Sequence, residues 1–188
     1  MKFYKLMYDY KNDKNYINCK IIEKGIIDEY LVSEGRYITE WPEILFGYDA
    51  SEGKQKTDYI ANLYRWLIVS DKFYSLINDL FPDLNVQFLP VKMFEIKEKD
   101  CEESYKVLNI LDVVDALDLE QSIYDVFELG DEKIYSVSKY ALKKDAVKGK
   151  DIFRLKDDTI PIFVSESIKT MIENNNLKGF DFLEVPVF

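Results

Sequence analysis

Asp112, Asp115 and Asp118 recur at every third position, and clustered carboxylates are what hard cations such as Mg²⁺ or Ca²⁺ require. On a helix this spacing would gather the three groups on one side. On an extended strand, residues three apart point to opposite faces, and the neighbouring Val113 and Val114 favour a strand. A small metal-dependent enzyme built on this cluster is therefore only an alternative, and no catalytic, metal or cofactor-binding residue is assigned. The sequence contains no histidine, which excludes Ser–His and Cys–His nucleophilic pairs and any imidazole-bearing metal site. Its 7 glycines stand apart, with no GxGxxG or GxxxxGK pattern, so no phosphate cradle is visible. Cys19 and Cys101 are distant thiols, which fits a reducing cytoplasm better than a disulfide framework. Arg154, between Phe153 and Leu155, reads as a strand arginine paired with an acid.

These residues are carried by recognisable elements. Residues 2–8 alternate apolar and aromatic side chains with lysine and read as a strand, followed by a polar turn over 11–15. Residues 17–27 hold another strand interrupted near Gly25, residues 30–32 are ambiguous, and 41–46 read as a small buried turn. Residues 50–57, rich in Ser, Gly and Lys, are the clearest loop and the candidate mobile region. Residues 66–69 form a compact apolar strand. Residues 93–103 are highly charged and read as a link, and 107–114 are apolar on both faces, as a central strand is. Residues 124–129 and 134–142 flank Gly130-Asp131 as a hairpin; the competing reading is a helix over 119–127 capped by Asp118.

The region 151–188 is the most legible. Residues 152–155 and 160–164 are short strands around an Asp157-Asp158 turn, with Pro161 near an edge or a strand start. Ser165 is a helix N-cap and Glu166 suits the first turn; Ile168, Met171 and Ile172 follow at helical spacing, and Gly179 precedes a last strand. This pattern occurs twice. Val69-Ser70-Asp71 matches Val164-Ser165-Glu166 at an offset of 95 positions, with Phe73, Leu76 and Ile77 on Ile168, Met171 and Ile172. Either a duplicated unit places two helices on one sheet, or capped helices after strands share residues by physics alone. The expected fold class is α+β: a mixed, mostly antiparallel sheet with a few helices. The chain reads as one domain over 1–188, with halves 1–92 and 93–188 as the finer division.

Composition bounds the partners. The chain is 47% hydrophobic and 15% aromatic, enough for a substantial core. Its net charge of −10 repels nucleic acid and anionic membranes and attracts a basic protein. No signal-type apolar segment or stretch of about 20 apolar residues is present, so no transmembrane helix is expected. Thirteen acids fall between residues 95 and 132 against three lysines, which accounts for the whole net charge; residues 133–150 carry six lysines and only Asp145. This segregation could set an acidic face beside a basic one, with a few exposed tyrosines near the acids as interface anchors.

A Val-Leu-Asn strand at 107–109, Asp115-Ala-Leu-Asp118 with Ser122, Ile-Phe-Arg-Leu at 152–155, Ile-Phe-Val-Ser-Glu at 162–166 and Gly179-Phe-x-Phe182 together resemble a bacterial immunity-protein family. It is the family typified by a myxobacterial immunity-protein domain, found beside polymorphic toxins, and the match lies mainly over residues 105–185. The resemblance implies a non-enzymatic, cytoplasmic protein without cofactors that binds and neutralises a cognate toxin. A basic toxin, such as a nuclease, would suit the charge. Asp115, Asp118, Glu120, Asp125 and Glu128 are the candidate toxin-facing residues. A regulatory or scaffold binding module is the other non-enzymatic alternative.

Overall fold

The computed structural model describes residues 1–25, 27–28, 30–97, 101–130 and 132–188, and the side chains of 101–104, Leu129 and Glu132 are outside that description. The charges read at Glu98, Lys99, Asp100, Glu102, Glu103, Asp131 and Glu132, and the Cys101 thiol, therefore lie outside the described residues.

The chain begins with β1 (Phe3–Tyr8), a 3₁₀ turn (Asp13–Asn15) and β2 (Asn18–Lys24). A single helical turn α1 (Tyr30–Ser33) precedes β3 (Ile44–Tyr48), β4 (Tyr59–Asn62) and β5 (Ile68–Ser70). Helix α2 (Asp71–Leu80) leads to β6 (Val86–Glu95), β7 (Cys101–Ile110) and the short β8 (Val113–Val114). Then come β9 (Ile123–Leu129), β10 (Glu132–Lys139) and a helical turn α3 (Lys144–Val147). Finally β11 (Ile152–Leu155), β12 (Ile162–Ser165), α4 (Glu166–Asn174) and β13 (Phe180–Val185) complete the chain. The α+β class holds, with mostly antiparallel pairing. The strands, however, form three assemblies: a closed barrel in the order β2-β3-β6-β7-β5-β4, a sheet in the order β13-β1-β12-β11-β8, and a two-stranded ribbon β9–β10.

Period-two alternation connects them. In β5 and β7, Ile68 and Val107 point into the barrel with Phe46, Trp66 and Met93, while Val69 and Leu108 point out of it. The outward side chains meet Tyr4 and Leu6 of β1, Ile162 and Val164 of β12, and the apolar sides of both helices through Phe73, Ile77, Ile168 and Ile172. The opposite face of the five-stranded sheet buries Phe3, Phe153 and Phe163 with Leu117 and Leu142. The barrel and the sheet thus share one apolar layer, and α2 and α4 lie within it.

Both helices start where their serines place them. Ser70 and Ser165 are extended, and their hydroxyls accept from the amides of Phe73 (3.2 Å) and Ile168 (3.4 Å). Each hydroxyl also donates to an aspartate, Asp58 at 2.7 Å and Asp151 at 2.6 Å, and each serine amide bonds that aspartate's carbonyl. The two units share this arrangement but not a sheet: β5 belongs to the barrel and β12 to the open sheet.

Elsewhere the fold departs from local expectation. Residues 41–46 were expected to turn, but Ile44 opens β3, which pairs in parallel with β6. Pro90 is tolerated inside β6 because β3 pairs only from Lys92 onward, so β6 there has β7 on one side alone. The charged region 93–103 does not link the halves: Met93–Glu95 end β6 and Cys101 opens β7, its antiparallel neighbour. Residues 107–114 split between two sheets, and the helix over 119–127 gives way to the hairpin. The loop over 50–57 is bonded to residues 15–17 through Lys54, Gln55 and Ile17. Gly53 is required there, since a Cβ would lie 2.1 Å from the Tyr16 carbonyl oxygen. Pro161 stands at a strand start, just before β12 in the middle of its sheet.

Replacing Ser70 or Ser165 by alanine removes the cap and strands the aspartate behind it, and each is expected to cost about 1–2 kcal/mol in urea denaturation. A second expectation concerns alkali. Burial pushes Tyr59 from 10 up to about 12, and raises Tyr8 and Tyr140 as well. A folded-state pKa above the unfolded value means the associated stability is intact below pH 10 and is lost as pH rises toward 12. The melting temperature should fall across that window, with tyrosinate absorbance rising as the protein unfolds.

Candidate functional site

The three aspartates at threefold spacing do not converge. Asp112 lies 2.9 Å from Lys150 Nζ and accepts from the Asn85 carboxamide at 3.1 Å. Asp115 lies 2.7 Å from Lys143, whose ammonium holds its carboxyl below the usual range. Asp118 accepts from the amides of Glu120 (3.0 Å) and Gln121 (3.2 Å), closing a local turn. The extended β8 between Asp112 and Asp115 separates what a helix would gather. Among the described residues no group of three or more acids or thiols is arranged to hold a metal ion. The enzyme alternative built on Asp112, Asp115 and Asp118 loses its geometric basis. Chelator or added Mg²⁺ is accordingly expected to leave the melting temperature unchanged, since a resident ion would contribute to folding stability.

Arg154 is buried, with 2% of its surface exposed, and among the described residues no acid pairs with it. Its Nη1 donates to the carbonyls of Thr159 (2.6 Å) and Ile160 (2.9 Å), closing the β11–β12 turn, and burial lowers its pKa to about 10. The expected acid partner is replaced by backbone because the turn folds over the guanidinium. Tyr140 holds the same turn by donating to Asp158 at 2.6 Å. Cys19 lies inside the barrel, where burial pushes its thiol up to about 12 and removes nucleophilic character.

The candidate partner-binding residues are spread along one path but not on one face. Asp115 and Asp118 lie in the approach to the ribbon, Glu120 is exposed on the turn before it, and Asp125 and Glu128 are exposed on β9. Asp125 sits opposite Ser136 and Glu128 opposite Lys133, so the two acids point to opposite sides of the ribbon. The lysine-rich stretch interleaves with the acids rather than standing beside them: Lys133 faces Glu128, Lys143 meets Asp115 and Lys150 meets Asp112. Glu95 is withdrawn altogether, buried and accepting from the amides of Ala50 and Lys97.

The ribbon also exposes apolar side chains. Phe127 (59% exposed) and Ile134 (46%) face each other across the ribbon, with Ile123 on the same side. The tyrosines of the ribbon, Tyr124 and Tyr135, are half-buried and meet edge-on at 5.5 Å, so they are not the exposed anchors expected. The signal was present in the sequence as a hairpin with apolar residues on both faces. Exposed apolar and acidic side chains on a ribbon are features of a binding surface.

The chain belongs to the immunity protein family Imm11, whose family model matches residues 2–187. The match spans the N-terminal region as well as residues 105–185. No curated protein matches the chain. Among the described residues, no helix is long and apolar enough to cross a membrane.

Proposed function

We propose that this chain is a non-enzymatic immunity protein that binds a cognate toxin and neutralises it in the cytoplasm of the cell that makes both. The observation that carries this reading is the family match over residues 2–187. The net charge of −10 supports a basic toxin, because complementary charge speeds encounter and a dangerous partner must be captured fast. Asp115, Asp118, Glu120, Asp125 and Glu128 form the steering rim in this reading. Asp115 contributes least, being already paired with Lys143.

The test uses the toxin encoded beside this chain. Co-expression of the chain should restore growth to cells producing that toxin, and the two purified proteins should form a complex. Neutralising the five acids to Asn or Gln should slow association roughly 10-fold at low salt and flatten its salt dependence. Dissociation should change less. Equal on-rates and equal salt slopes would remove the five residues from the encounter surface, and absence of protection would overturn the reading itself.

A further inference from the structure

The ribbon has a second property that its acids do not account for. Among the described residues β10 is bonded only to β9, so its other edge presents unpaired amides and carbonyls. Part of that edge borders a concavity. Residues 134–137 form one wall of a cleft of about 470 Å³, opposite Ile160 and Pro161 of the β11–β12 turn. A second cleft of about 470 Å³ adjoins it, sharing Lys5, Arg65, Ile160 and Pro161 and extending past Leu63.

Both opposing walls are held rigidly. Arg154 and Tyr140 fix the β11–β12 turn, which leaves Ile160 exposed. The Asn62 side chain bonds the carbonyls of Ile60 and Trp66 and accepts from the Trp66 amide, locking the loop that carries Leu63 and Arg65. Within that loop Arg65 is held at φ 55°, a left-handed conformation unusual for a residue with a side chain. Leu63 is 81% exposed. A braced loop that presents a large apolar side chain and a strained arginine is built for contact, since strain of this kind persists only where the surroundings enforce it.

The charge of the cleft is opposite to that of the chain. Lys5 lies over the Tyr140 ring at 4.8 Å and Arg65 is exposed, and neither has an acid partner among the described residues. One acid, Asp158, also lines the cleft and accepts from the Tyr140 hydroxyl, so the two cations outnumber it. Two unneutralised cations, an open strand edge and the apolar Phe127, Ile134, Ile160 and Leu63 define a complementary guest: an extended segment carrying carboxylates between apolar side chains. We propose that the cleft seats such a segment of the toxin, which adds to β10 as a strand and sets its acidic side chains on Lys5 and Arg65. This rests on the toxin-binding reading above. The acids of β9 then steer the basic body of the toxin, and the cleft holds its acidic segment.

The experiment measures binding of the neighbouring toxin domain to Arg65→Glu and Ile134→Asp variants, both changed at exposed positions, with melting curves as the control for folding. Each change is expected to weaken the complex about 30-fold, as loss of an anchor does, whereas Arg65→Lys should retain most of the affinity. Hydrogen exchange on the unaltered protein supplies a readout independent of mutation: amides of residues 133–139 should gain protection in the complex. Wild-type affinity in both variants, or unchanged exchange of residues 133–139 in a formed complex, overturns the cleft proposal while leaving the toxin reading standing. Failure of the unaltered protein to bind or protect against the toxin overturns both.

Discussion

The shared apolar layer between the barrel and the open sheet is the constraint on which the rest of the molecule depends. Strands β5 and β7 are apolar on both faces, and so are β1, β11 and β12. A sheet with two apolar faces must be covered on both. The barrel covers one face of β5 and β7 by closing on itself. The other face is satisfied only by the five-stranded sheet and the two helices. Truncating Val69, Leu108 or Ile168 would remove contacts from both assemblies at once, at the few kcal/mol typical of large-to-small core changes.

Polar groups then fix how the layers meet. Asp58 is the clearest junction: it bonds the Ser70 cap of the barrel side, and its carboxylate and amide both bond Lys178, which leads into β13 of the sheet. Asp151 repeats the cap arrangement at Ser165. Buried polar atoms are costly unless bonded, so these pairings select one docking geometry among the many that burial alone would allow. Arg154 works in the same way at the β11–β12 turn, where its cation is stabilised by carbonyl dipoles. The rigidity of that turn is a property of the core transmitted to the surface.

The ribbon β9–β10 stands apart from this economy. One face leans on the core through Val137 and carries the Tyr124–Tyr135 pair, and the other carries exposed Ile123, Phe127 and Ile134. An isolated two-stranded ribbon has little burial to stabilise it, which makes its exposed apolar residues hard to explain by folding alone. Charge tells a similar story. Acids and lysines that are segregated along the chain are interleaved in space, so Asp112 and Asp115 are already paired with lysines within the protein. In the proposed reading, a partner meets the remainder: Glu120 and Asp125 around the ribbon, with Glu128 set opposite Lys133, and Lys5 and Arg65 in the cleft.

The local features were legible in the amino-acid order because their causes are local. Ser70 and Ser165 begin helices since each hydroxyl reaches an amide three residues on, and no distant residue is needed for that. The alternation in β1, the short apolar runs of β11 and β12 and the β9–β10 hairpin follow from side-chain direction along a strand and a Gly130 turn at φ 63°. The absence of histidine and of glycine-rich loops likewise needed no structure. Tertiary structure alone decided the rest. Barrel closure joins β2 to β4 and β3 to β6 across dozens of residues, pairings that no periodicity encodes. The partner of Arg154 depended on where the turn folded. The partners of Asp115 and Asp112 are lysines 28 and 38 positions away, which the order of residues does not announce. The cleft exists because β10, the Arg65 loop and the Ile160 turn, from three separate regions of the sequence, are brought together by the packing of the core beneath them.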